Sequence, residues 1–107
     1  MESRLVFQRE KTLETAAGHI IRIKMKLWQL SEPYGTEFPQ GYKFSWIAYN
    51  VKNPQREYVL IDNHKGKELH YHIDDQEEFF KWVSIDETEK LFLAKVQERF
   101  GYFDTSI

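Results

Sequence analysis

The chain contains no cysteine. Without a thiol there is no disulfide framework, no zinc–thiolate site and no sulfur nucleophile, and the lack fits a reducing compartment. No apolar run approaches the ~18–20 residues that span a bilayer, and the N-terminus lacks a secretory hydrophobic region. A soluble, cytoplasmic protein with no membrane partner is expected. There is no internal repeat and no low-complexity tract. A Gly-x-Ser-x-Gly elbow and a dinucleotide glycine fingerprint are missing too. Gly66-Lys67 is no Walker loop, because the upstream glycine, the following Ser or Thr and the helix are absent.

What is present is a chain of 107 residues, 41% hydrophobic and 16% aromatic, with 3 Trp, 6 Tyr and 8 Phe. That length suits one domain, residues 1–107, and so many large rings need a core. The net charge of -2 hides an asymmetry. Met1 to Lys67 carries 11 Lys+Arg against 7 Asp+Glu, whereas Glu68 to Ile107 carries 4 against 10. The chain is basic early and acidic late, but its total charge does not mark it as a nucleic-acid binder.

Ile21, Ile23, Met25 and Leu27 alternate with Arg22, Lys24, Lys26 and Trp28, the period of a half-buried strand. Leu5–Phe7 suggests a short first strand and Ala16-Ala17-Gly18 a turn. Ser31–Gly41, with two Pro and two Gly, reads as a loop. Strands follow at Tyr42–Val51 and Glu57–Ile61, with Asn53-Pro54 as the turn between them. Asp62–Lys67 makes another turn into Leu69–Ile73, where Leu69, Tyr71 and Ile73 alternate with His70, His72 and Asp74. Gln76–Trp82 fits either a short helical turn or irregular chain. Ser84 followed by Glu87 is a capping box, so a helix starts at Ile85, with Ile85, Phe92, Leu93, Val96 and Phe100 on one stripe and a stop at Gly101. The expected fold is α+β: an antiparallel sheet of about five short strands with one C-terminal helix packed on one face. Trp46, Phe44, Phe92, Phe100 and Tyr71 are expected core rings, Ser84 is a helix cap and no nucleophile, and His19 has no visible partner.

By parity the sheet face away from the helix carries Arg22, Lys24 and Lys26 on one strand and His70 and His72 on another. Residues i and i+2 of a strand project side by side, so the two imidazoles can work together. They can act as general acid and base, since imidazole titrates near neutral pH. They can also share a divalent metal, with Asp62, Asp74, Asp75 or His64 as further ligands. The plain alternative is two histidines facing solvent. Arg22, Lys24 and Lys26, ending in Trp28, suit phosphates and a stacked base, or simply guard a solvated strand face. In a simple meander the basic strand and the histidine strand lie about 14 Å apart, too wide for a small molecule but not for RNA. The turn containing Lys65, Gly66 and Lys67 could present amides and ammonium groups to an anion, or be a charged hairpin turn. Asp74, Asp75, Glu77 and Glu78 could hold a hard cation, although such a run is ordinarily solvated.

Lys24-Met25-Lys26-Leu27-Trp28-Gln29, Tyr42-Lys43-Phe44-Ser45, Asp62-Asn63-His64-Lys65-Gly66-Lys67, His70-Tyr71-His72 and the Glu77-Glu78 pair ahead of Ser84 together resemble the TumE-like family. These are small bacterial and archaeal proteins described as toxin halves of toxin–antitoxin pairs. The resemblance runs from about Ile21 to Gly101 and is most specific from Asp62 to His72. It implies a growth-inhibiting protein held by a small helix-turn-helix antitoxin, with nucleic acid as a target. Family members tend to have an Asp and an Arg around the histidine pair, where this chain has Glu68 and Tyr71.

Three readings follow. In the first, the chain is a toxin-like ribonuclease or RNA-binding toxin. His70 and His72 would be acid and base, Asp62 an orienting carboxylate, and Lys65 and Lys67 phosphate contacts, aided by Arg22, Lys24 and Lys26. This reading needs no metal and no cofactor. In the second it is a non-enzymatic interaction module that pairs through a sheet edge with an antitoxin or a second copy. In the third it is a metal-dependent hydrolase built on the histidine pair plus Asp74 or Asp75.

Overall fold

The computed structural model describes residues 3–31, 38–63 and 68–106. Six strands, β1 (Ser3–Glu14), β2 (Ile20–Leu30), β3 (Tyr42–Asn50), β4 (Tyr58–Asp62), β5 (His70–Ile73) and β6 (Gln76–Phe79), precede one helix, α1 (Ile85–Phe100). The sheet is an antiparallel meander in the order β1-β2-β3-β4-β5-β6. This is the expected α+β architecture with six strands in place of about five.

The alternation in β2 decides which face is which. Ile21, Ile23, Met25 and Leu27 point under the helix and join Phe44, Trp46, Ala48, Val59, Ile61 and Tyr71 from the next three strands. Phe92, Val96 and Phe100 of α1 close the core from above. The expected core rings are all there. His19, which had no visible partner in the sequence, sets its ring edge-on to Phe100 at 5.9 Å.

Two strands depart from expectation. β1 is 12 residues long, not a short stretch at Leu5–Phe7. Its core side reads Phe7, Arg9, Lys11, Leu13, by pairing with Leu27, Met25, Ile23 and Ile21. The two cations in that row hide the strand's periodicity. Arg9 is accommodated because its guanidinium lies over the Phe7 ring at 4.1 Å and pairs with Glu89 of α1 at 2.7 Å. A register shift between Leu5 and Phe7 interrupts the pattern further. Charge along an outermost strand is also how sheets avoid edge pairing.

β6 replaces the helical or irregular segment expected at Gln76–Trp82. Asp74 and Asp75 form a two-residue hairpin, with Asp74 at φ 56. The Asp74 carboxylate accepts from the Tyr58 amide at 3.0 Å and from Arg99 Nε at 3.1 Å. Arg99 also reaches Glu57 at 3.3 Å. Asn53, Asn50 and then Arg99 hold the Glu57 carboxyl below its ordinary range by hydrogen bonding and charge. The hairpin is thus anchored to the end of α1, and Asp74 is committed to that anchor.

The helix begins and ends as the sequence predicts. Ser84 Oγ accepts from the Glu87 amide at 3.1 Å, and the Gly101 amide donates to the Gln97 carbonyl at 2.8 Å. Gly101 sits at φ 103, where an added Cβ would come within 2.7 Å of Ala17 Cβ. Gly101→Ala therefore meets both an unfavourable backbone region and a clash with the β1–β2 turn. We expect it to cost about 1–3 kcal/mol of unfolding free energy in urea titrations. A variant as stable as the parent would show that this contact yields freely. Among the described residues, no helix is long and apolar enough to cross a membrane.

Candidate functional site

The strand register turns the face away from the helix into a grid. One row across all six strands reads Gln8, Lys26, Ser45, Asp62, His70, Phe79. The next reads Glu10, Lys24, Ile47, Leu60, His72, Glu77. A third, shorter row brings Thr12, Arg22, Tyr49 and Tyr58 together. Among the described residues, the one helix lies on the opposite face, so no described helix covers this one. The expected sidedness holds for Arg22, Lys24, Lys26, His70 and His72, and Asp62, expected in a turn, ends β4 on the same face.

The residues differ in what they are free to do. Lys24 and Lys26 are exposed and border a shallow depression of about 300 Å³ with Gln8, Glu10, Ser45 and Ile47. Arg22 is already engaged, donating to Thr12 at 2.8 Å and reaching Glu10 at 3.4 Å. Three strand spacings separate Lys24 from His72, about 14 Å, as a simple meander requires. Lys65, Lys67 and His64 lie outside the described residues.

His70 and His72 meet at the other end of the grid. Their ring centroids are 5.0 Å apart with planes at 85°, and Phe79 edges onto His70 at 6.0 Å. His70 is buried and His72 half-buried, with 27% of its side chain exposed. His70 Nδ1 lies 2.9 Å from the Glu68 carbonyl oxygen. A carbonyl can only accept, so Nδ1 carries the hydrogen, and in the neutral ring Nε2 carries the lone pair.

Glu77, offered by the sequence only within an acidic run that could hold a hard cation, stands beside the histidine pair. β6 places it directly opposite His72. Its Oε2 lies 3.8 Å from His72 Nε2 and 4.0 Å from His70 Nε2. The donor atoms of all three side chains fall within 4.8 Å of one another. Two imidazole nitrogens and a carboxylate oxygen at this spacing could hold a metal ion.

The expected ligands Asp74 and Asp75 do not join this cluster. Asp74 is held by Arg99 and the Tyr58 amide, and Asp75 sits in the exposed hairpin turn. The third reading keeps its histidines but exchanges these aspartates for Glu77. Asp62 pairs with His70 across β4 and β5.

Tyr49 and Tyr58, both partly exposed on the open face, were also missed. Recognising them requires the β3–β4 pairing, in which they stand directly opposite one another.

No family model, no curated protein and no solved structure matches the chain.

Proposed function

We propose that the chain is the toxin of a toxin–antitoxin pair, as the TumE-like resemblance implies, and that it acts on RNA in the cytoplasm. The open sheet face would hold a single strand, with its reactive end at His70 and His72. The observation that carries the reading is the uncovered grid, which has exposed ammonium groups at one end, imidazoles at the other and tyrosines between. Unpaired bases stack on aromatic rings while cations follow the phosphates, and an open antiparallel sheet presents both. A small helix-turn-helix antitoxin is the expected partner, and a second copy of the chain is another.

The test is direct. Purified protein should retain labelled single-stranded RNA at low salt, and expression without the partner should arrest growth. Failure to retain RNA at 50 mM salt would remove the reading. The same RNA assayed with and without EDTA, beside His72→Ala, separates the chemistries. Cleavage that survives chelation and is lost in the variant assigns acid–base catalysis. Cleavage lost on chelation and restored by metal assigns an ion. Retention without cleavage assigns an RNA-binding toxin.

A further inference from the structure

We infer that His70 Nε2, His72 Nε2 and Glu77 Oε2 form a binding site for one divalent transition-metal ion of the zinc, cobalt or nickel kind. The inference does not depend on whether the chain acts on RNA.

Three features of the corner point to it. The first is donor type: two imidazole nitrogens and one carboxylate are the set that borderline metals take, and three protein ligands leave a coordination position for water. The second is distance. Ligands bound tetrahedrally at about 2.0–2.2 Å stand roughly 3.3 Å from one another. The two nitrogen–oxygen gaps here are 3.8 and 4.0 Å. All three donor atoms lie within 4.8 Å of one another, and closing the gaps falls to Glu77, whose side chain is 46% exposed, and to the half-buried His72.

The third feature is the orientation of His70. A metal-binding imidazole normally gives its other N–H to a carbonyl or carboxylate, which fixes the tautomer and ring plane. The Glu68 carbonyl does this at 2.9 Å. With Nδ1–H directed there, Nε2 is the ring nitrogen that faces the Glu77 carboxylate, 4.0 Å away.

The site differs from the one the sequence alone suggests. Asp74 and Asp75 have no part in it, and the carboxylate comes from an exposed strand with no apolar pattern. The ligands lie on adjacent strands of a hairpin, at i and i+2 on β5 and directly across on β6. Their spacing is therefore set by the ladder and not by a mobile loop.

The test uses the full chain, stripped of metal with EDTA and dialysed. Cobalt(II) is titrated in, and visible absorption reports inner-sphere coordination and stoichiometry. Zinc is then added to displace it. One equivalent of cobalt should bind, with the band abolished by zinc. His72→Ala and Glu77→Gln should each weaken binding at least tenfold, the scale set by loss of even outer-shell partners. Both residues reach the surface, and circular dichroism confirms that the variants fold. His19→Ala, in the turn between β1 and β2, should bind as the parent does. Less than half an equivalent of bound cobalt would overturn the site. Parent-like affinity in either ligand variant would overturn it as well.

Discussion

Trp46→Ala should lower the unfolding free energy by about 3–5 kcal/mol, the range for deleting a large buried ring. Trp46 is fully buried at the centre of β3. Its ring meets Phe44 at 5.1 Å, Phe92 at 5.9 Å and Phe7 at 6.3 Å, so it joins β1, β3 and α1 in one contact. Indole Nε1 also donates to the Lys26 carbonyl at 3.0 Å. Alanine opens a cavity between sheet and helix and removes that donor. Domains of this size are stable by only about 5–15 kcal/mol, so roughly a fifth or more of the total is at stake. Trp46→Phe keeps most of the ring volume and loses the donor, and should cost about 1–2 kcal/mol. Urea titrations followed by far-ultraviolet circular dichroism measure both. A loss below about 1 kcal/mol in the alanine variant would mean that the core closes without this ring. Ser45 and Ile47, its chain neighbours, face the open side, so a destabilised β3 should loosen that surface too.

How far the sequence could be read depended on whether each element had a face to bury. β2 declares itself because four apolar residues alternate with three cations and a tryptophan. α1 declares itself through Ser84 and Gly101: the Ser84 side chain accepts from the Glu87 amide, and the Gly101 amide donates to the Gln97 carbonyl. β1 conceals itself because Arg9 and Lys11 occupy core-side positions, tolerable only because an outermost strand lets Arg9 reach Glu89. β6 has no apolar pattern at all: Gln76, Glu77, Glu78 and Phe79 are all exposed. It is a strand because the Asp74–Asp75 hairpin feeds it back along β5, and that hairpin depends on Arg99, 25 residues away from Asp74. No local rule reveals such a dependence.

The candidate site divides along the same line. Parity alone put His70 and His72 outward, on the face with Arg22, Lys24 and Lys26. Which member of the acidic run stands beside them could not be read, because Glu77 acquires its place only once β6 exists. The acidic run looked solvated, and its first member was misjudged in the other direction. Asp74 was one of the further ligands expected for the histidine pair, yet its carboxylate serves the turn and α1. Register, which comes from pairing and not from spacing, made the difference in both cases.

The double reversal Lys24→Glu with Lys26→Glu should weaken binding of single-stranded RNA at least tenfold at 0.1 M salt. Each phosphate contact to a single strand adds about 0.7 to the magnitude of the salt slope, so losing two should lower it by about 1.4, and the new carboxylates repel the strand besides. Both side chains are exposed and at the rim of the same shallow depression, so the change should leave stability nearly unaltered. Lys90→Glu, on the helix face with 75% of its side chain exposed, is the matched control and should bind RNA much as the parent does. If the control and the reversal weaken binding alike, the effect is net charge, and the open face is no platform. Lys24 and His72 stand about 14 Å apart in one row, beyond a Debye length of about 10 Å at that salt. Cobalt affinity in the reversed variant should therefore stay within about twofold of the parent. RNA binding lost with metal binding kept is the pattern expected of two ends of one face doing separate work. A joint loss would instead mean that the reversal had disturbed the sheet connecting them.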